Sequence, residues 1–503
     1  MTRQHPGLRR LPLAALALAC ASALAAPVDV ALLAQARRQA SVDALIVLGD
    51  QSAPALAPLD AGAGYALRRR VLVDALRSRA SAQQAGVRAW LDARAIAHRD
   101  YWLVNAIQAR VTPADLADLA ARSDIARVAA NPEIALRLPP QSADAGSVDA
   151  PASVEWGVAK IRAPDVWAAG FSGQGIVIGG QDTGYQWDHP ALKPQYRGWS
   201  DGAADHDHNW HDAVHDPAAA SCPADAPAPC DDHGHGTHTA GTFAGDDGGA
   251  NRIGVAPGAK WIGCRNMDSG VGTPARYIEC MQWFLAPTDL AGHDADPDLA
   301  PDVISNSWGC DASEGCTTGN ELAQAVDTLV DAGIFFAAAA GNDGSGCSSI
   351  LDAPAIYDAS FVVGSTGAGD GVSGFSSRGP LAGTSLVRPD VVAPGANVRS
   401  SVPGNGYASM SGTSMATPHV AGVAALLMSV NPALKGHPRR IAELLRSTAV
   451  RNGIVDLNNS GCGGLTMADW PNYQAGYGRI DAYAAAVMAD TILKDGFDVG
   501  PEP

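Results

Sequence analysis

Short apolar runs alternate with segments of helical periodicity through most of the chain after residue 153. Runs that are apolar throughout, which predicts strands covered on both faces, lie at 176–180, 303–306, 334–340 and 361–364. Apolar residues recur at helical spacing over 322–331 and 415–430. Such alternation is typical of an α/β fold built on a parallel sheet.

The segment before residue 138 has a pattern of its own. A helix is predicted over 67–97, and Thr112-Pro113 is a typical helix start, with Thr as the N-cap and Pro in the first turn. Strands are predicted at 42–49, 99–111 and 125–130. This order of elements suits a small separate domain. The Pro-, Ala-, Ser- and Asp-rich stretch that follows predicts a linker over 138–154.

Residues 1–25 are predicted to be a cleaved secretory signal. Arg3, Arg9 and Arg10 precede a short apolar run that ends in Ala-Leu-Ala. Cys20 raises the alternative of a lipoprotein, but the three residues before it make a poor lipobox. No later segment has 18 uninterrupted apolar residues, so we expect a soluble protein, secreted to the extracellular space or the periplasm, with no membrane partner.

Eight cysteines follow the predicted signal, and all of them lie after residue 150. An even number in an exported chain predicts disulfides. The sequence does not determine their pairing, although short loops make Cys222–Cys230 and Cys310–Cys316 the easiest pairs. No two cysteines have the CxxC spacing of a zinc site.

Charge divides the chain into two parts. The 503 residues carry a net charge of −17, which makes nucleic acid an unfavourable partner. Residues 26–150 hold 14 Arg, no Lys and 13 acidic residues, whereas 151–503 hold 18 basic and 39 acidic residues. We therefore expect two units with different roles, the Arg-rich one able to dock on the acidic one.

Three short segments contain residues suited to nucleophilic catalysis. They are GQDTG around Asp182, HGHGTHTAGT around His235 and SGTSMATPHVAG around Ser414. Each alone is also compatible with a turn, a loop or a helix cap. Together, a carboxylate at a strand end, an imidazole among glycines and a hydroxyl at a helix start supply the parts of an activated hydroxyl nucleophile.

These segments resemble those of the subtilase family of serine proteases. Four further stretches match in the family's order, namely DVISNSWG (302–309), AAAAGNDG (337–344), GFSSRGP (374–380) and PDVVAPG (389–395). The resemblance covers roughly residues 151–485. Within the family, the sequence looks most like the bacillopeptidase F-like branch. It implies a doubly wound, mostly parallel, subtilisin-like α/β sheet, preceded by a small α+β, ferredoxin-like propeptide domain.

The resemblance also implies a role for each residue in peptide hydrolysis. Ser414 attacks the peptide carbonyl and forms an acyl-enzyme, His235 takes its proton, and Asp182 orients His235. The side-chain amide of Asn342 and the backbone N–H of Ser414 form the oxyanion hole.

Substrate is expected to bind as an extended strand between two edges of the enzyme. By resemblance, Ser269, Gly270 and Val271 form one edge, while Ser307, Trp308 and Gly309 form the other edge and a wall of the primary pocket. Asp352 lies near the family's pocket floor. A carboxylate there would favour Arg or Lys substrates; the alternative is a solvent-exposed loop residue.

No cofactor is required for this chemistry, and we assign no metal ligands. Many subtilases bind calcium, but Ala191 stands where an acidic ligand is common, and the loop 246–251 is short compared with the calcium loop of subtilisin. The Asp- and His-rich run 205–212 is a candidate metal cluster. It lacks EF-hand spacing, so we predict a solvated insertion loop there.

The expected organisation is that of a proenzyme that processes itself. The predicted parts are a signal peptide (1–25), a propeptide that inhibits and helps to fold the enzyme (26–137), a linker with the processing site (138–154), a peptidase domain (155–485) and a tail (486–503). The expected partners are polypeptide substrates and the chain's own propeptide, which would act as a transient inhibitor. We expect the enzyme to be a monomer.

Two other functions stay open. A metallohydrolase could use the run 205–212, although the chain lacks an H-E-x-x-H motif. A binding protein with an inactive protease fold is disfavoured, because Asp182, His235, Ser414 and Asn342 are all present.

Overall fold

The computed structural model describes residues 26–51, 64–141, 153–216, 221–314, 316 and 321–494. The predicted signal peptide and most of the predicted linker, at 1–25 and 142–152, lie outside the described residues. The end of the predicted tail, after residue 494, also lies outside them.

Seven parallel strands form the central sheet. Their order across the sheet is Trp210–Asp212, Lys260–Arg265, Val177–Asp182, Val303–Asn306, Phe335–Ala339, Phe361–Thr366 and Val391–Pro394. The first of these strands in the chain is in the interior, and the sheet grows from it towards both edges, as in doubly wound folds. The predicted α/β fold with a parallel sheet is confirmed.

Helices cover both faces of the central sheet. The helix Thr413–Val430 packs on five of the strands, and all its residues except Ser429 are buried. It is the only helix in the described part of the chain that is long and apolar enough to span a membrane, and 94% of it is buried inside the protein. The other helices of this unit are Trp156–Lys160, Ala163–Ala168, His235–Ala244, Pro274–Leu285, Glu321–Asp331, Pro438–Ser447 and Ala482–Lys494.

A small α+β unit precedes this fold, as predicted. Its antiparallel sheet has the strand order His98–Tyr101, Ala106–Val111, Val42–Leu48 and Ile125–Ala130. Its helices are Val30–Ala36, which we did not predict, Tyr65–Asp92 and Pro113–Ala120. Thr112 caps the last of these in a capping box with Asp115, which confirms the predicted helix start.

The segment 99–111 is a hairpin, so the prediction of a single strand was wrong. Tyr101 pairs with Ala106 across the turn, and Asn105 has a φ of 39°. Three of the four residues between them are apolar although they form a turn. The reason is long-range: Gln282 Oε1 in the large unit accepts hydrogen bonds from the backbone N–H groups of Trp102 (2.6 Å) and Leu103 (3.0 Å).

The two units share one hydrophobic core. Leu45, Leu72 and Tyr101 of the small unit lie in the same buried cluster as Ile278 and Leu329 of the large one. Ion pairs surround this core, each with the arginine on the small unit: Arg70–Asp298, Arg99–Glu279 and Arg127–Glu321. The Arg-rich unit therefore docks on the acidic one, as their net charges suggested.

The run 205–212 is not a solvated loop throughout, so that prediction was wrong. Trp210–Asp212 forms an edge strand of the central sheet, and buried Asp212 Oδ1 lies 3.0 Å from Nε of the buried Arg265. The strand with which it pairs in parallel, Lys260–Arg265, lies far along the chain. Within the described residues, the acidic and histidine side chains of this run form no group close enough to share one ion.

Four disulfides join all the cysteines after the predicted signal. They are Cys222–Cys230, Cys264–Cys280, Cys310–Cys316 and Cys347–Cys462. The two pairs that short loops favoured are confirmed. The third disulfide closes a loop that contains Asp311 and Glu314.

The buried ion pair between Arg378 and Asp456 gives a test of this packing. The two carboxylate oxygens lie 2.7 and 3.0 Å from the guanidinium, and both side chains are fully buried. Asp456→Ala should lower the free energy of unfolding by about 3–5 kcal/mol, because it leaves a buried cation without its partner. Urea unfolding of the full chain in a Ser414→Ala background, which lacks the predicted nucleophile, measures the loss.

The matched control is Asp165→Ala, which breaks the exposed pair with Arg162. That variant should lose only about 0–1 kcal/mol. Equal losses of unfolding free energy in the two variants would contradict the expectation that breaking a buried ion pair costs more than breaking an exposed one.

Candidate active site

Asp182 is the last residue of its strand and lies at the carboxyl edge of the central sheet. Its side chain is 2% exposed. Oδ1 accepts the backbone N–H of Thr183 (2.7 Å), and Oδ2 accepts the hydroxyl of Thr239 (3.3 Å). The carboxylate is therefore held in one orientation.

His235 begins the helix His235–Ala244 and faces this carboxylate. Its Nδ1 lies 2.7 Å from Asp182 Oδ1, and the imidazole is fully buried. A proton on Nδ1 satisfies this contact and leaves Nε2 with a free lone pair. Nε2 has no hydrogen-bond partner among the described residues. The approach depends on Gly236, where a Cβ would lie 2.1 Å from the carbonyl oxygen of Gly184.

Ser414 lies in the first turn of the helix Thr413–Val430 and is 2% exposed. Its hydroxyl donates to the carbonyl oxygen of Ser307 at 3.0 Å. In this structure the hydroxyl is therefore directed at Ser307, and no hydrogen bond to His235 is formed.

Asn342 follows the strand Phe335–Ala339 and is oriented by the residue before the serine. Its Oδ1 accepts both the backbone N–H (2.9 Å) and the hydroxyl (3.1 Å) of Thr413. This directs Nδ2 into the cleft, where it donates to the carbonyl oxygen of Arg137 at 3.1 Å. Sequence reasoning did not single out Thr413, although it is next to Ser414 in the same motif.

The end of the small unit lies in the cleft as an extra strand. Ile134–Ala135 pairs antiparallel with Val271–Gly272, and the N–H of Leu136 donates to the carbonyl oxygen of Gly270 at 2.7 Å. The predicted substrate edge, Ser269 to Val271, thus lies along a segment of the chain itself. Strand addition of this kind is a common way to bind an extended peptide.

The side chain of Arg137 enters a pocket beside Ser414. The predicted pocket residues Ser307, Trp308, Gly309 and Asp352 all line it. Trp308 is buried and stacks on Tyr277, with ring centroids 3.6 Å apart, so this wall is rigid. Three acidic residues that sequence reasoning missed, Asp311, Glu314 and Asp343, form ion pairs with Arg137.

Beyond Arg137 the chain continues across the cleft. The Gln141 side chain donates to the carbonyl oxygen of Ser411 (3.1 Å) and accepts its N–H (2.7 Å). The segment 134–141 is thus held on both sides of the peptide bond between Arg137 and Leu138. A single Arg just before the Pro-rich linker was the sequence signal that could have indicated this segment.

Two other histidines near the site have structural environments. His238 is fully buried, with Nε2 3.0 Å from the carbonyl oxygen of Val398, and burial lowers its pKa to about 3. His419 is also buried, with Nδ1 2.8 Å from the carbonyl oxygen of Met415, and burial lowers its pKa to about 4. Both imidazoles are therefore neutral at physiological pH.

Comparison with known proteins agrees with this arrangement. Residues 173–474 match the model of the subtilase family, Peptidase_S8. Bacillopeptidase F of Bacillus subtilis is 38% identical over 358 residues, which is 69% of this chain and 23% of that protein. Subtilisin E of the same organism is 33% identical over 303 residues, 60% of this chain and 67% of the relative. Subtilisin Savinase of Lederbergia lenta is 34% identical over 310 residues, 61% of this chain and 96% of the relative.

The chain therefore spans less than a quarter of bacillopeptidase F but nearly the whole of subtilisin Savinase. The family model covers more than half of the chain. The parallel sheet, the motif order and these matches all lead to one assignment, which confirms the resemblance found in the sequence: the chain belongs to the subtilase family of serine-type endopeptidases.

Proposed function

We propose that the protein is a secreted endopeptidase, made as a proenzyme, that cleaves extended polypeptides with Asp182, His235 and Ser414. The observation that carries this proposal is the position of the Arg137 carbonyl. Its oxygen accepts from Asn342 Nδ2 at 3.1 Å, beside Ser414, on a strand bound as a substrate would be. The four disulfides support an oxidising location outside the cell.

The reaction begins with a proton transfer from Ser414 to His235. For this transfer the serine hydroxyl leaves the carbonyl of Ser307 and turns to Nε2 of His235, which is unpartnered in the part of the chain that the structure describes. Asp182 keeps the imidazole in the tautomer with Nε2 unprotonated, and it stabilises the imidazolium that forms. Ser414 Oγ then bonds to the substrate carbonyl carbon.

The negative charge that develops on the carbonyl oxygen is stabilised by Asn342 Nδ2 and by the backbone N–H of Ser414. Thr413 holds the amide in place before the reaction, so little reorganisation is needed. His235 next gives its proton to the leaving amine, and the peptide bond breaks. Water then repeats the sequence on the acyl-enzyme and frees Ser414.

The small unit acts as the inhibitor in this proposal. Its segment 134–137 occupies the substrate edge and the pocket, and the shared core holds it there. We place the processing bond between Arg137 and Leu138, at the border of the predicted linker. The protein supplies every group that these steps use. That no cofactor is required, with calcium possible but not supported by the family's common site, stays a prediction, as do the domain boundaries.

Replacing Ser414 by Ala should abolish hydrolysis. The expected fall in kcat on casein or a peptide is about 10⁶-fold, the size typical of loss of a triad serine. A serine-reactive sulfonyl fluoride should label the unchanged enzyme and not this variant. The variant should also remain a single chain across the bond 137–138; a normal rate of cutting would mean that another protease processes it.

Ser429→Ala is the matched control, because that hydroxyl lies at the opposite end of the same helix, where it donates to the carbonyl oxygen of Leu426 and accepts the N–H of Gly173. It should keep full activity. If the unchanged protein leaves casein intact and is not labelled, it is a binding protein with an inactive protease fold.

Replacing Asn342 by Ala should lower kcat by about 10²–10³-fold with little change in KM, because the donor acts mainly on the transition state. Steady-state kinetics on one peptide give both values. Asn342→Asp keeps an acceptor for Thr413 and loses the donor, so it should be impaired as well. Full activity in the Asp variant would show that only the contact with Thr413 matters.

A further inference from the structure

The pocket that holds Arg137 is strongly acidic. A Glu314 carboxylate oxygen contacts Nη2 of Arg137, and Asp311 Oδ2 lies 3.5 Å from the same nitrogen. Asp343 Oδ1 lies 3.6 Å from Nη1. Asp352 lines the pocket, with a carboxylate oxygen within 4.8 Å of those of Asp311 and Glu314. Four carboxylates thus surround one guanidinium.

We propose that this pocket selects arginine as the residue whose carbonyl is attacked, with Asp311, Glu314 and Asp352 as the specificity-determining residues. The proposal rests on the proposed function and gives it a substrate class: extended polypeptides that are cut after arginine.

The loop that presents the acids is held rigidly. Within it, the Asp311 N–H donates to Glu314 Oε2 (3.1 Å), and the Glu314 N–H donates to Asp311 Oδ1 (3.0 Å). The disulfide Cys310–Cys316 closes the loop. The acids are therefore in place before a substrate arrives, which lowers the entropic cost of binding.

The same loop is joined to the segment that carries Asp352. Cys310 and Ala353 exchange two backbone hydrogen bonds, each 2.9 Å long. Gly309 allows the close approach of Asp352, because a Cβ at Gly309 would lie 2.7 Å from the Asp352 Cβ. Residues some forty positions apart thus form one binding surface.

The geometry suits arginine better than lysine or an apolar side chain. The carboxylates lie on both nitrogen branches of the guanidinium, and a planar group with five donors can serve them together. An ammonium is a single point of charge. An apolar side chain would leave the acids facing one another without a cation, which is unfavourable.

The charge of the pocket supports this reasoning. Burial, and next the neighbouring Asp343, raise the pKa of Asp352 to about 7, whereas Arg137 opposes the rise. A carboxyl group with a raised pKa is destabilised as an anion, and a cationic side chain relieves that cost. Arg137 benefits reciprocally, because its contact with Glu314 raises the pKa of the guanidinium.

The test is a series of peptides that differ only in the residue before the cleaved bond. The self-processed enzyme is assayed on peptides with Arg, Lys, Met or Glu there. We expect kcat/KM for Arg to exceed that for Met by about 10–100-fold, the range typical of hydrogen bonds between charged groups. Lys should be intermediate and Glu the poorest.

Variants of the acids supply the second measurement. Glu314→Gln should lower the Arg-to-Met ratio of kcat/KM by about tenfold, the loss expected for one hydrogen bond between charged groups. Asp352→Asn removes a charge that lines the pocket without pairing with Arg137, so it should lower the ratio by a smaller factor. Hydrolysis of the Met peptide itself should change little. Glu443→Gln is the matched control, because that exposed carboxylate pairs with Arg440 away from the cleft; its ratio should equal that of the unchanged enzyme.

The two proposals fail in different ways. If the unchanged enzyme cleaves the Met peptide as well as the Arg peptide, or if neither acid variant alters the ratio, the selectivity proposal is overturned and the endopeptidase proposal stands. If no peptide is cleaved and the sulfonyl fluoride does not label Ser414, the endopeptidase proposal itself fails. If the variants do not fold, the comparison of kcat/KM among the peptides with the unchanged enzyme still decides the selectivity proposal.

Discussion

The hydrogen bond between Asp182 and His235 is the interaction on which the site depends. It is 2.7 Å long and shielded from water, and each partner comes from an element of the sheet architecture. The carboxylate is at the end of an interior strand, and the imidazole is at the start of a helix packed on it. Such a buried pair needs fixed geometry, because an ion in the interior is stable only with its partner in place. The packed core supplies that geometry.

The N-terminal unit extends the same architecture. Its sheet shares a hydrophobic core with the helices of the large unit, and its last residues add a strand to the edge at Val271. Main-chain pairing sets the register, and this register places the carbonyl of Arg137 at Asn342 and its side chain among the acids. In the proposed function, inhibition and substrate selection therefore have one physical basis, since the segment that lies in the cleft is bound by the groups that would recognise a substrate.

Much of the fold could be predicted because its signals are local. Interior parallel strands are apolar throughout, and the segments around Asp182, His235 and Ser414 are short and specific. The hairpin turn at 102–105 could not be predicted, since the other unit supplies both the Gln282 oxygen that accepts its backbone N–H groups and the core that buries its apolar residues. Of the acidic pocket only Asp352 was predicted, because backbone bonds between Cys310 and Ala353, which no sequence pattern shows, bring the other acids to it. Such convergence depends on tertiary structure and leaves no periodic pattern.

In the proposed function, the bond between Arg137 and Leu138 is positioned for attack by Ser414. Intact-mass measurement of the purified precursor during its first turnover tests this most directly. We expect the first two fragments to be one that ends at Arg137 and one that begins at Leu138, and we expect them to form at a rate independent of protein concentration. A first cut elsewhere in 142–154, with the segment 134–141 left whole, would contradict it.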